Sequence, residues 1–123
     1  MKNRLRLAFD LDGTLTRHSD HLRFLADRVL MSGGEVHVIT GRRPHERDLT
    51  LYELKNKLRF RFTELHIYPE EYDFELGGKI SAELAQSIGE WKSDLCDDLG
   101  IDILFDDDLH RYNTDFNCHT VHI

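Results

Sequence analysis

The stretch Leu5-Arg6-Leu7-Ala8-Phe9-Asp10-Leu11-Asp12-Gly13-Thr14 decides how the rest of the chain reads. Leu5, Leu7 and Phe9 alternate with Arg4, Arg6 and Ala8, the period of two expected of a strand, and the pattern stops at Asp10. Downstream, Leu22, Leu25, Ala26, Val29 and Leu30 follow the spacing of an amphipathic helix, which Gly33-Gly34 ends. Residues 35–39 form a second short apolar strand running into Thr40-Gly41. Pro44 suits the first turn of a helix whose stripe is Leu51, Leu54 and Leu58. Residues 65–68 read as a third strand, 69–78 as a loop and 80–99 as a helix. A turn at Gly100 leads into a strand over 101–105, then a short helix and a last strand over 118–123.

Strands alternating with helices predict an α/β fold: a three-layer, Rossmann-like parallel sheet with helices on both faces. No repeat, low-complexity tract or long linker divides residues 1–123, so one domain is expected. No run approaches the roughly 18 apolar residues that span a membrane, and Met1-Lys2-Asn3-Arg4 leads straight into the first strand pattern. A cytoplasmic, unanchored protein is the expectation. Cys96 and Cys118 fit neither a metal spacing nor a disulfide framework and read as buried thiols in a reducing compartment. Sixteen Lys and Arg against 23 Asp and Glu give a net charge of −7, which argues against broad electrostatic capture of nucleic acid. Contact with one strand end needs only a few cations. The eight histidines show no HxxxH or HxH spacing and read as surface or satisfied core residues.

Ligands of open parallel sheets sit outside the carboxyl ends of the strands. Three predicted strand ends carry acid or hydroxyl groups: Asp10-Leu11-Asp12-Gly13-Thr14, Thr40-Gly41-Arg42, and Asp106-Asp107-Asp108. With a lysine between the last two, this order resembles the four motifs of the haloacid dehalogenase superfamily of phosphatases, over essentially the whole chain. The resemblance implies a phosphomonoester hydrolase in which Asp10 attacks phosphorus and becomes an aspartyl-phosphate. It makes Asp12 the general acid and base, and Thr40 a hydroxyl donor to the phosphoryl group. Leu11, Gly13, Thr14, Gly41 and Arg42 would line the substrate, partly through backbone N–H groups. Gly13 would let the chain turn sharply away from it. Arg42, Arg43, His110 and Arg111 lie near the same edge; substrate contact is one reading of these four and solvated surface the favoured one.

Such a site calls for a cation. Asp10, Asp12, Asp106 and Asp107 would surround an anionic substrate with carboxylates, each like-charge pair costing about 4 kcal/mol at 4 Å and an effective dielectric near 20. Magnesium offsets this, with Asp10 and Asp106 as direct ligands, the Asp12 carbonyl as a third, and Asp107 acting through water. Asp108 leaves the register among the last three acids open. Two lysines compete for the remaining role. A helix descending from Lys92 to Leu99 falls about 10 Å, and a strand over 101–105 climbs back about 13–16 Å, which levels Lys92 with Asp106. A continuous helix would lift Lys79 about 20 Å beyond reach. Lys92 is therefore expected to neutralise the phosphoryl group and to hold Asp10 ionised; if the helix runs through Gly89, Lys92 is mid-helix and must face the sheet edge.

Members of this superfamily often carry a cap domain. Neither 15–35 nor 41–91 has room for one, so the site is expected to be open unless a partner subunit, as in a homo-oligomer, covers it. Thr40-Gly41-Arg42 and Phe105-Asp106-Asp107 also resemble motifs of the phosphatase domain of phage and bacterial polynucleotide kinases, although no Gly-x-x-x-x-Gly-Lys-Ser/Thr loop is present. The substrate is left between a phosphorylated small molecule, such as a nucleotide or sugar phosphate, and a nucleic-acid 3′-phosphate end. Two other readings stand beside the enzyme. One is a receiver-like phospho-accepting module, disfavoured because the third strand ends at Tyr68-Pro69-Glu70. The other is a catalytically silent binding domain with the same fold.

Overall fold

The computed structural model describes residues 4–123. The opening strand, β1 (Arg6–Phe9), lies at the centre of a five-stranded sheet and pairs in parallel with β2 (Glu35–Thr40) and β4 (Ile103–Asp106). β3 (Glu64–Ile67) extends the β2 side and β5 (His119–His122) the β4 side, giving the all-parallel order β3-β2-β1-β4-β5. This is the three-layer, Rossmann-like arrangement expected, and connections leave the sheet in opposite directions on either side of β1 and β4. That reversal opens a crevice at their carboxyl ends.

Period-two alternation serves both faces here. Leu7 and Phe9 join Val36 and Val38 on one face, and α1 (Thr16–Met31) covers them with Leu22, Ala26 and Val29. Ala8, Ile39 and Leu104 point to the other, where α3 (Ala82–Leu99) lays Cys96 on them. Ala8, read from sequence on the polar side of the alternation, is thus core. Its small side chain lets α3 approach the central strand.

Several boundaries move for identifiable reasons. The strand β4 begins at Ile103, because Ile101 N–H still bonds the Cys96 carbonyl at 2.9 Å in the turn after α3. Gly100 makes that turn at φ 67°, a left-handed helix stop that glycine adopts without Cβ strain. Asp106 is consequently the last residue of β4. At the other end of α3, the Ser81 hydroxyl caps the Leu84 N–H at 3.0 Å. The helix expected after Pro44 is broken into a tight turn at Pro44–Glu46, α2 (Arg47–Tyr52) and a wide turn at Glu53–Lys57. Thr50 bonds back to the Glu46 carbonyl at 2.8 Å, a bond that bends helices. A short α4 (Leu109–Tyr112) precedes β5. Among the described residues, no helix is long and apolar enough to cross a membrane.

Candidate ligand and metal site

The site is built where β1, β2 and β4 end. Asp10 follows β1, Thr40 closes β2 and Asp106 closes β4, so the parallel registers bring all three to one edge. Lys92 reaches them from α3. Its ammonium donates to Asp10 Oδ1, Asp106 Oδ2 and the Tyr112 hydroxyl, each at 2.8 Å. Tyr112 in turn donates to Asp106 Oδ2 at 2.9 Å. The lysine is 1% exposed and Asp106 0%, so these charges meet away from water.

One ammonium faces two carboxylates. Burial pushes the Asp10 carboxyl well above the usual carboxylate range; Lys92 pulls it down and Asp106 pushes it up further. For Lys92, burial opposes the charge, but Asp10 and Asp106 outweigh it and hold the ammonium above its ordinary value. The remaining negative charge is what a cation would compensate.

Carboxylate oxygens of Asp10, Asp106 and Asp107 lie within 4.8 Å of one another. An all-oxygen, convergent set fits a hard divalent ion such as magnesium, which keeps several of its waters. Lys92, Tyr112 and the Asp108 N–H already engage Asp106, but each of its oxygens has two lone pairs. Asp107 also accepts the Thr14 hydroxyl at 3.3 Å. Asp108 turns away to Arg111 at 3.3 Å, which separates it from the three converging acids.

Gly13 is required on two grounds. Its φ is +83°, and a Cβ there would overlap the Asp107 carboxylate. Its N–H is spent on the Thr16 hydroxyl at 2.9 Å, and the Leu11 side chain is buried in the core.

Other predicted residues are placed differently from expectation. The Asp12 side chain leaves the acid cluster and takes a two-pronged bond from Arg42, at 2.8 and 3.0 Å. Arg42 also donates to Glu53 and Thr50, at 3.0 and 3.1 Å, so it is engaged by the protein's own groups. The Thr40 hydroxyl accepts the Arg42 N–H at 3.2 Å. Lys79, expected some 20 Å away, lines the same cleft: the helix stops short of it, and an antiparallel bridge to Glu75 folds 69–81 back over the edge. That segment lines one side of the site, which has no cap among the described residues and stays open to solvent as expected. The Gly41 carbonyl accepts the Tyr72 hydroxyl at 2.7 Å, which helps to hold the wall.

Two contributors went unread in the sequence. Tyr112 is one, because only the folding of α4 against α3 brings it to Lys92. The other is the aromatic wall of Tyr72 and Phe74, against which Arg43 stacks at 5.7 and 4.6 Å from the ring centres. Arg43, read as solvated surface, is therefore a tie to that wall. The cleft encloses about 540 Å³, with Asp10, Lys92 and Asp107 at its floor and Tyr72, Phe74 and Ile80 on its side.

Gly89 lets α3 and α4 touch, since a Cβ there would overlap Tyr112. Gly89→Ala should lower stability by about 1–3 kcal/mol through overpacking. Helix propensity alone predicts a gain of about 0.5–1 kcal/mol, so the sign of the shift in a urea midpoint decides between the two.

No family model matches the chain, and no curated protein matches it. Among solved structures, the chain is similar to a universal stress protein crystallised in complex with cAMP. The TM-score is 0.57 at 11% identity, covering 99% of this chain and 98% of that one. At that identity the likeness establishes the fold. It also corrects the family expectation: the fold match is to a universal stress protein, and nothing places the chain in the haloacid dehalogenase superfamily. The phosphatase assignment falls with it, including the aspartyl-phosphate route and the likeness to polynucleotide kinase phosphatases. The physical reason lies in the topology. Doubly wound sheets of many functions gather polar residues at the same strand ends, so acids in that order locate a site without fixing its chemistry.

Proposed function

We propose that this protein is a binding module for a phosphorylated small molecule of nucleotide size, held at the carboxyl edge of the sheet together with a magnesium ion. The observation that carries this reading is the convergence of Asp10, Asp106, Asp107 and Lys92 on the floor of a cleft with an aromatic side wall. A volume of about 540 Å³ suits a ligand of that size. Asp10, Asp106 and Asp107 would hold the cation, which when bound supplies the positive charge that lets a phosphate approach the acids. Lys92 fixes the orientation of Asp10 and Asp106 from beneath. Tyr72, Phe74 and Ile80 offer an apolar surface on which a base can lie. The cAMP bound by the similar universal stress protein is a ligand of this class. A net charge of −7 favours a small molecule over a nucleic-acid end, and two free cysteines suit a reducing cytoplasm.

Calorimetric titration with ATP, AMP, cAMP and a sugar phosphate, with magnesium or with EDTA, tests the reading. Binding of at least one nucleotide is expected in magnesium, weakened about tenfold or more (~1.4 kcal/mol) by EDTA or by Asp107→Asn. No nucleotide binding in magnesium would overturn the proposal. So would steady release of inorganic phosphate that disappears in Asp10→Asn.

A further inference from the structure

A second group of metal-ligating atoms lies on the α3 face of the sheet, between β2 and the edge strand β3. The parallel register sets His37 opposite Glu64 and Ile39 opposite His66, so side chains 37, 64 and 66 share one face. His37 Nδ1 and His66 Nε2 are 3.0 Å apart. Glu64 Oε1 is 3.3 Å from His66 Nε2 and 3.9 Å from His37 Nδ1. These three atoms form a triangle. An ion bound by nitrogen and oxygen at about 2.0–2.1 Å in tetrahedral geometry requires ligand separations of roughly 3.3–3.4 Å, and the triangle spans that value.

Two further features suit an ion there. The far nitrogen of His37, Nε2, is 2.9 Å from Glu35 Oε1. A carboxylate on the outer nitrogen places the proton there and leaves Nδ1 with its lone pair turned toward the triangle, the arrangement that supports metal-bound histidines. His37 is 2% exposed while Glu64 is largely exposed, so the triangle has a rigid inner side and an outer side open to water.

We infer that His37, His66 and Glu64 form a binding site for a borderline divalent transition ion, best matched by zinc, with a water completing the tetrahedron. Two imidazoles and one carboxylate select against magnesium and calcium, which take oxygen ligands. The ion would staple edge strand β3 to β2. It is separate in ligand chemistry and in place from the all-carboxylate cluster beyond the ends of β1 and β4, so this site and the nucleotide site stand or fall independently.

The test uses the full chain and cobalt(II) chloride as a visible probe, followed by displacement with zinc chloride. Wild type should develop the intense visible absorption of tetrahedral cobalt at one equivalent, and zinc should abolish it. His66→Ala should weaken binding by about 100-fold or more. Glu64→Gln, at an exposed position, should weaken it while leaving the circular dichroism spectrum intact, which covers the case in which the histidine variant fails to fold. Asp107→Asn should leave the cobalt spectrum unchanged. A weak, octahedral-type spectrum in wild type would overturn the inference. So would loss of the signal in Asp107→Asn with its retention in Glu64→Gln.

Discussion

Lys92→Met is expected to destabilise the protein by about 3–5 kcal/mol at neutral pH, the usual effect of removing one partner from a buried ionic group. Asp10 and Asp106 would remain beside each other with no ammonium between them, and Tyr112 would lose the same partner. The defect should shrink as the pH falls. Asp10 already sits above the usual carboxylate range, and removing Lys92 removes the pull that lowers it. A carboxyl raised in the native state takes up a proton there before the unfolded chain does, so its stabilising contribution is full below the unfolded value and is lost as pH rises through the native one. The gap between variant and wild type should therefore narrow from pH 7 towards about 4, where the unfolded carboxyls begin to titrate. Urea midpoints across that range check it; a gap independent of pH would mean that lost packing, not stranded charge, is the cause. Magnesium should rescue part of the loss, because a cation held by Asp10, Asp106 and Asp107 supplies the missing charge.

Gly13→Ala is expected to cost about 2–5 kcal/mol and to remove magnesium binding along with it. Left-handed backbone costs a residue with a Cβ about 1–2 kcal/mol, and displacing a packed neighbour costs about 1–3 more. The neighbour is the Asp107 carboxylate. If it moves aside, the oxygen triplet opens and the Thr14 bond at 3.3 Å is broken. Thermal melts with and without magnesium separate the two effects: wild type should melt higher with the ion, and the variant should melt lower and show no such gain. A variant that keeps the full magnesium shift would show that Asp107 is not part of the ion's coordination.

The fold was legible because it rests on short, strongly patterned strands. Leu7, Phe9, Val36, Val38 and Leu104 are apolar at a spacing that only a buried sheet explains, and Gly33, Gly34 and Gly100 punctuate the helices. The spacing rule also put Lys92 and Asp106 at one level, because a helix and the strand that follows it return through the same height. Lys79 failed that rule for a local reason: the helix begins at Ala82, and a bridge to Glu75 carries Lys79 back to the cleft. Tyr112 and the pair His37 and His66 were invisible for a deeper one. Their partners are set by packing of α4 on α3 and by the register of β2 against β3, neither of which leaves a spacing in the chain. The family expectation failed at another level still, since strand-end acids mark where the sheet is open and say little about what happens there.

The forked bond from Arg42 to Asp12, with Glu53 on the same guanidinium, has a bearing on ligand choice. Under the proposed function, an anion bound beside Arg42 would have to trade places with two resident carboxylates. A singly charged ester such as cAMP would gain little from that exchange, so ATP and AMP are expected to bind more tightly than cAMP. A ligand with two or more negative charges, delivered together with its own counter-ion, can outcompete both. In that role the arginine would set a threshold for ligand charge, and the threshold should relax when Glu53 is made neutral.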